Sequence, residues 1–197
     1  ANPLGLNPHY GLDFSSSIVY SDSIPLLAII FKVLSPYLGD PFQYFGLWIL
    51  CCLVLQSIFG HKLAQLLTED CWQQLLICVI FLCTPVMLFR LNIHLALAGH
   101  FLILWALYLN LRKGCDYWSW PLLFFIVLGV HFYLFVMVFG LWLADLLDRK
   151  SSSIRVGIKS VLANIFIVLA VVGLSAWQYG YFAISTSSSL AIGYGGD

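Results

Sequence analysis

"WSWPLLFFIVLGVHFYLFVMVFGLWLADLL", Trp118 to Leu147, is an apolar run of 30 residues. A single α-helix of that length would rise about 45 Å, against roughly 30 Å for the hydrocarbon core of a bilayer. The run is too long for one upright span and short for two full ones. Charge decides between them. Arg112 and Lys113 precede the run, and Arg149, Lys150, Arg155 and Lys159 follow it. Lysine and arginine beside spans collect on the cytoplasmic side. One helix would part the two basic clusters, whereas two short, tilted helices place both on one side. Two helices are therefore expected, breaking near Gly129–His131.

The composition agrees with a membrane setting. The chain is 61% hydrophobic and 9% charged, and its mean hydropathy is +0.95. Soluble domains carry about 25% charged residues and need a polar exterior, so this chain reads as an all-α polytopic membrane protein. Formal net charge is zero, so no basic field points to nucleic acid. The six cysteines lie in apolar runs or beside basic loops. Their spacing implies neither a metal site nor a disulfide framework.

Outward from the central run, further spans are expected over Phe42–Gly60, closed by His61–Lys62, and over Trp72–Phe89, His94–Asn110 and Ser160–Tyr179. With the divided run, that makes six. Residues 1–23 are rich in turn signals and form a loop. Residues 24–41 form a short helix, interrupted by Lys32 and Pro36, that lies on or dips into the membrane surface. Residues 42–179 are the transmembrane domain, and 180–197 a final loop. Of nine basic residues, only Lys32 and Arg90 fall outside the cytoplasm in this arrangement. Residues 1–41 and 180–197 are then extracytoplasmic.

This topology gathers polar residues on the outer face. Asp22 precedes the surface helix, with Tyr20, Ser21 and Ser23 around it. Gln43 and Tyr44 open the first span. Arg90, Asn92 and His94 form one outer turn, and His131 and Tyr133 another. His100 lies about 9 Å deeper. Each has a purely structural reading. Asp22 can cap the helix starting at Pro25 and still face the outer cleft. Arg90 can snorkel to headgroups. The histidines can cap helices or bond carbonyls, and the tyrosines can belong to an interfacial belt. Asp13 is explained by turn chemistry, and Asp40 is a further acidic alternative. Together, however, a carboxylate, a guanidinium and two imidazoles on one face suit a phosphorylated, lipid-linked substrate. The cations would hold the phosphate, and the acid would deprotonate or orient an acceptor hydroxyl. Asp22 with a histidine could take a divalent metal, although no ligand spacing supports one.

Four stretches, "YSDSIPLLAIIFK", "PFQYFGLW", "FRLNIHLALAGHFLILWALYL" and "HFYLFVMVFGLWLADLL", resemble a family of bacterial inner-membrane proteins formerly of unknown function. Its members are similar to GT-C glycosyltransferases, which are multi-spanning enzymes using polyprenyl-phosphate sugars on the extracytoplasmic side. The resemblance runs from Gly5 to Gly196. It implies a further span before residue 1 and a further region after "GYG", so the chain reads as the central part of a larger protein. It also implies an essential acid early in the first outer loop, either Asp22 or a residue upstream of Ala1. Arg90 and His94 would hold the lipid phosphate, with His131 and Tyr133 beside them. The alternative is a non-catalytic membrane subunit packing against other membrane proteins. A transporter is disfavoured, because no repeated halves are seen.

Overall fold

A computed structural model of the chain describes residues 17–20, 22–39, 42–112, 118–151 and 158–182. Among these residues the protein is all-helical, with no strand. Its helices are α1 (Pro25–Leu34), α2 (Phe45–Leu67), α3 (Cys71–Leu82), α4 (Pro85–Ile93), α5 (Phe101–Leu111), α6 (Ser119–Leu128), α7 (Phe132–Ser151) and α8 (Ile158–Tyr179). Short 3-10 turns add Ser35–Tyr37 after α1 and Leu95–Ala98 between α4 and α5. Three helical stretches are long and apolar enough to cross a membrane: Phe45–Leu67, Cys71–Ile93 and Ser160–Tyr179.

Several boundaries differ from expectation. His61–Lys62 does not close α2, which runs on to Leu67. The Lys62 ammonium lies 5.7 Å from the Phe59 ring centroid and 5.4 Å from that of Tyr108, so the charge is accommodated without breaking the helix. α2 ends instead where Thr68 turns extended. Asp70 then caps α3 by accepting from the Gln73 N–H at 3.0 Å, which supplies one of the orphan donors of a helix start. The stretch from Cys71 to Ile93 is interrupted at Cys83–Thr84, and Pro85 opens α4. Proline belongs at that position because its missing N–H is not needed there. The expected span His94–Asn110 splits into the 3-10 turn and the 11-residue α5.

The apolar run from Trp118 to Leu147 does divide, with Gly129–His131 between α6 and α7. α6 is the central helix, packed against α5, α7 and α8. Trp120, Leu123, Phe124 and Val127 are buried on it. Phe124 meets Trp142 edge-on at 5.6 Å and also contacts Phe135 and Phe139. The indoles that help fill this core find buried acceptors, as indole N–H groups require. Trp120 donates to Asp145 at 2.9 Å, and Trp142 to Asn164 at 3.2 Å. α2 packs on α3 and α5. Gly60 lets α3 approach, since a Cβ there would stand 3.2 Å from the Phe81 ring.

The break between α6 and α7 is a joint between distant segments. The Leu26 N–H at the start of α1 donates to the Gly129 carbonyl at 2.7 Å. The Tyr179 hydroxyl donates to the Phe125 carbonyl at 3.2 Å, and Tyr181 to Leu128 at 2.8 Å. Orphan groups at two helix ends thus satisfy one another. The space at Gly129 is full: an added Cβ would lie 2.6 Å from Tyr179 and 2.8 Å from the Leu26 Cβ. Ile24, fully buried, holds a left-handed φ of 48° just before α1. That conformation is costly for a β-branched residue and persists only where its surroundings impose it.

Candidate functional site

Asp22, His94, His131 and Tyr133 line one cavity of about 610 Å³, together with Val19, Phe132 and Tyr181. Four separate segments build it. Asp22 does not cap α1, whose N-cap residue Ile24 makes no side-chain cap bond. Its Oδ1 instead accepts from the Ala96 N–H, 74 residues away, at 3.3 Å. Asp22 thereby caps the 3-10 turn after His94, a turn that His94 itself leaves uncapped. The other carboxyl oxygen lies 3.8 Å from His94 Nδ1. Both side chains remain open to solvent, 37% exposed for Asp22 and 52% for His94.

His131 caps α7. Its Nδ1 accepts from the Tyr133 N–H at 3.2 Å, and its ring stacks on Tyr133 at 5.3 Å. That bond leaves Nε2 to carry the proton of the neutral ring. Burial lowers the His131 pKa below its ordinary value, Asp22 opposes this, and His94 and Arg90 reinforce it. The four groups therefore act on one another electrically. Tyr181 reaches the cavity because Gly180, at φ 88°, ends α8. The Gly180 N–H bonds Trp177 and the Tyr181 N–H bonds Ala176, the paired pattern of a glycine-terminated helix.

A second cavity, of about 750 Å³, adjoins the first at Phe132 and Tyr133, which line both. Arg90 and His100 lie on it, among Leu97, Ile103, Leu104, Val136 and Met137. Arg90 and His94 are one helical turn apart, yet they face different cavities. Among the described residues, the Arg90 guanidinium makes no ion pair. Gln56 and Thr84 lie at this cavity too. A third hollow, between α6 and α8, is lined by Trp118, Ser119, Pro121, Leu122, Phe125 and Val171 and carries no titratable group.

The remaining expected residues separate from this cluster. Ser23 Oγ donates to the Ile18 carbonyl at 2.9 Å, and the Ser23 carbonyl accepts from the Tyr44 hydroxyl. These bonds tie the loop to α2. Gln43 is exposed and lines neither cavity. Asn92 bonds back to the Leu88 carbonyl. Ser21, Asp13, Asp40 and the Tyr20 side chain lie outside the described residues. Among the described residues, no three His, Cys, Asp or Glu side chains are grouped to hold a metal ion. Gln56, Phe132 and Tyr181 were not anticipated. A glutamine within an apolar span was the available signal for Gln56.

A family model matches residues 1–196, almost the whole chain. The chain belongs to the family described as a domain of unknown function, DUF6311. No curated protein and no solved structure matches it.

Proposed function

We propose that this protein is a membrane glycosyltransferase of GT-C type, taking a sugar from a polyprenyl-phosphate donor on the extracytoplasmic face of a bacterial inner membrane. The observation that carries the reading is the pair of adjoining cavities. One holds Asp22, His94 and His131, and the other holds Arg90 in an apolar setting. In this reading the lipid phosphate lies at Arg90 and the acceptor hydroxyl at Asp22, with Tyr133 between. The acceptor oxygen attacks the anomeric carbon as its proton passes to the Asp22 carboxylate. The bond from that carbon to the phosphate oxygen breaks, and the phosphate leaves with the electron pair, stabilised by Arg90, while His94 stays beside Asp22 in the first cavity. In this reading α7 and the shorter α5 and α6, which reach only part of the way across, join the three long helices in the membrane, and the cavities open outward. Lys62 and Arg112 both pack on the Tyr108 ring, so two of the basic residues assigned to the cytoplasm share one end of the bundle.

The test uses the full-length protein, labelled polyprenyl-phosphate sugars and candidate glycan or lipid acceptors. Asp22→Asn keeps an oxygen for the Ala96 N–H but cannot take a proton, and should lower transfer by about 10²–10⁴-fold. Arg90→Ala should lower it by about 10²–10³-fold. Unchanged transfer in both variants would remove these roles. The second reading, a non-catalytic membrane subunit, is favoured by the Cys71–Ile93 stretch, only 11% buried within the chain. Absence of transfer by the wild type, with a partner protein covering Trp72, Leu76 and Ile80, would establish it.

A further inference from the structure

Gln56 is 2% exposed, on a helix otherwise buried through apolar residues. Its Nε2 donates to the Phe81 carbonyl at 3.2 Å. A carbonyl only accepts, so this bond fixes which way the amide faces. Oε1 is then the remaining atom, and among the described residues it has no hydrogen-bond partner. Buried polar atoms left in that state are rare and costly. Gln56 also lines the Arg90 cavity. Its partner Phe81 stands nine positions before Arg90, across the break at Cys83–Thr84.

We propose that Gln56 Oε1 is an acceptor subsite for an O–H or N–H donor carried partway along the chain of a phosphate-headed amphiphile. The proposal rests on the reading that Arg90 receives an anionic head, and it concerns a second phosphate-headed ligand of that cavity, since a polyprenyl chain carries no O–H or N–H donor of its own. Most of the cavity lining is apolar, including Leu97, Ile103, Leu104, Val136 and Met137, with Thr84, His100 and Tyr133 among it. The apolar residues suit a hydrocarbon chain, and a plain chain leaves Oε1 unpaired. A lone water would need two to four polar partners of its own. The nearby Phe81 carbonyl already accepts from both Gln56 and the Thr84 hydroxyl. A ligand that brings its own donor satisfies the atom without needing such further partners. Oε1 then discriminates among lipids by a hydroxyl or amide in the chain, independently of the headgroup.

The experiment uses full-length protein in detergent and hexadecyl phosphates bearing one hydroxyl at successive chain positions, with unsubstituted hexadecyl phosphate as reference. Binding is read by native mass spectrometry. One position, or two adjacent ones, should bind about 3–10-fold more tightly than the reference. Gln56→Leu and the near-isosteric Gln56→Met should erase that gain and leave the reference as tight or tighter. Arg90→Ala should weaken every member of the series alike. A flat series, or a gain that survives both Gln56 variants, overturns the proposal and leaves water as the partner of Oε1. If no phosphate binds the wild type, the Arg90 reading fails. Hexadecanol and hexadecanediols then decide the Gln56 subsite alone, by the same presence or absence of a Gln56-dependent gain.

Discussion

Two regions of the protein set polar groups beside aromatic rings and treat them in opposite ways. Between α6, α7 and α8, Asp145 and Asn164 are 5% and 4% exposed, and each accepts from an indole N–H. Around the Asp22 cavity, Asp22 and His94 stand 3.8 Å apart and remain 37% and 52% exposed. The first arrangement closes polar groups inside the bundle. The second holds them at a boundary where a ligand can still compete for them. A carboxylate is thus enclosed and paired in one region and left open to solvent in the other, and the proposed function assigns the reactive part to the open one.

Exchanging the two carboxylates' losses breaks the comparison most sharply. Asp145→Ala strips the acceptor from the buried Trp120 N–H and should cost about 2 kcal/mol or more, seen as a lower midpoint in thermal unfolding in detergent. Asp22→Asn should leave that midpoint nearly unchanged, because Ala96 keeps its acceptor. Equal losses would show that both carboxylates are structural. Gly129→Ala comes next. A methyl group at 2.6–2.8 Å from Tyr179 and Leu26 must displace the joint, at about 1–3 kcal/mol. It should also loosen Tyr181, and Trp120 and Trp142 fluorescence should stay unperturbed if the two regions are independent.

The smallest effect concerns pH. Burial holds the His131 pKa below its ordinary 6.5. The unfolded chain therefore takes up a proton first as pH falls. Stability at this site should be full above about 6.5, decline as pH drops below it, and level off beneath the folded value. Asp22 works against the shift, and His94 and Arg90 work with it. His131→Asn, which can still cap α7, should flatten that part of the profile in unfolding midpoints measured across pH 4–8.

The helical class and the division of the Trp118–Leu147 run were legible from apolar length and flanking charge. The company of Asp22, His94, His131 and Tyr133 on one cavity was also legible, because each stands at a break in the apolar pattern and those breaks meet in space. The closure of α2 was misread at His61–Lys62, since cation–aromatic contacts depend on Phe59 and Tyr108 meeting in space. The bond of Asp22 to Ala96 was illegible for the same reason. Local capping rules look a few residues along the chain, and this bond reaches 74. Gln56 was visible as a polar residue in an apolar span, but its unpaired oxygen emerges only once Phe81 has taken the other half of the amide.

The joint at Gly129 has a consequence for the order in which the protein is made. Its partners are Leu26 near one end of the described chain and Tyr179 and Tyr181 near the other. During synthesis, α6 and α7 emerge well before the tyrosines that tie their break. A ribosome-bound chain ending before residue 179 would hold Asp22, His94 and His131 without the wall that Tyr181 supplies. The Asp22 cavity is therefore completed only by the residues that end α8, and shortening the chain there should abolish binding while sparing the Trp120–Asp145 pair between α6 and α7.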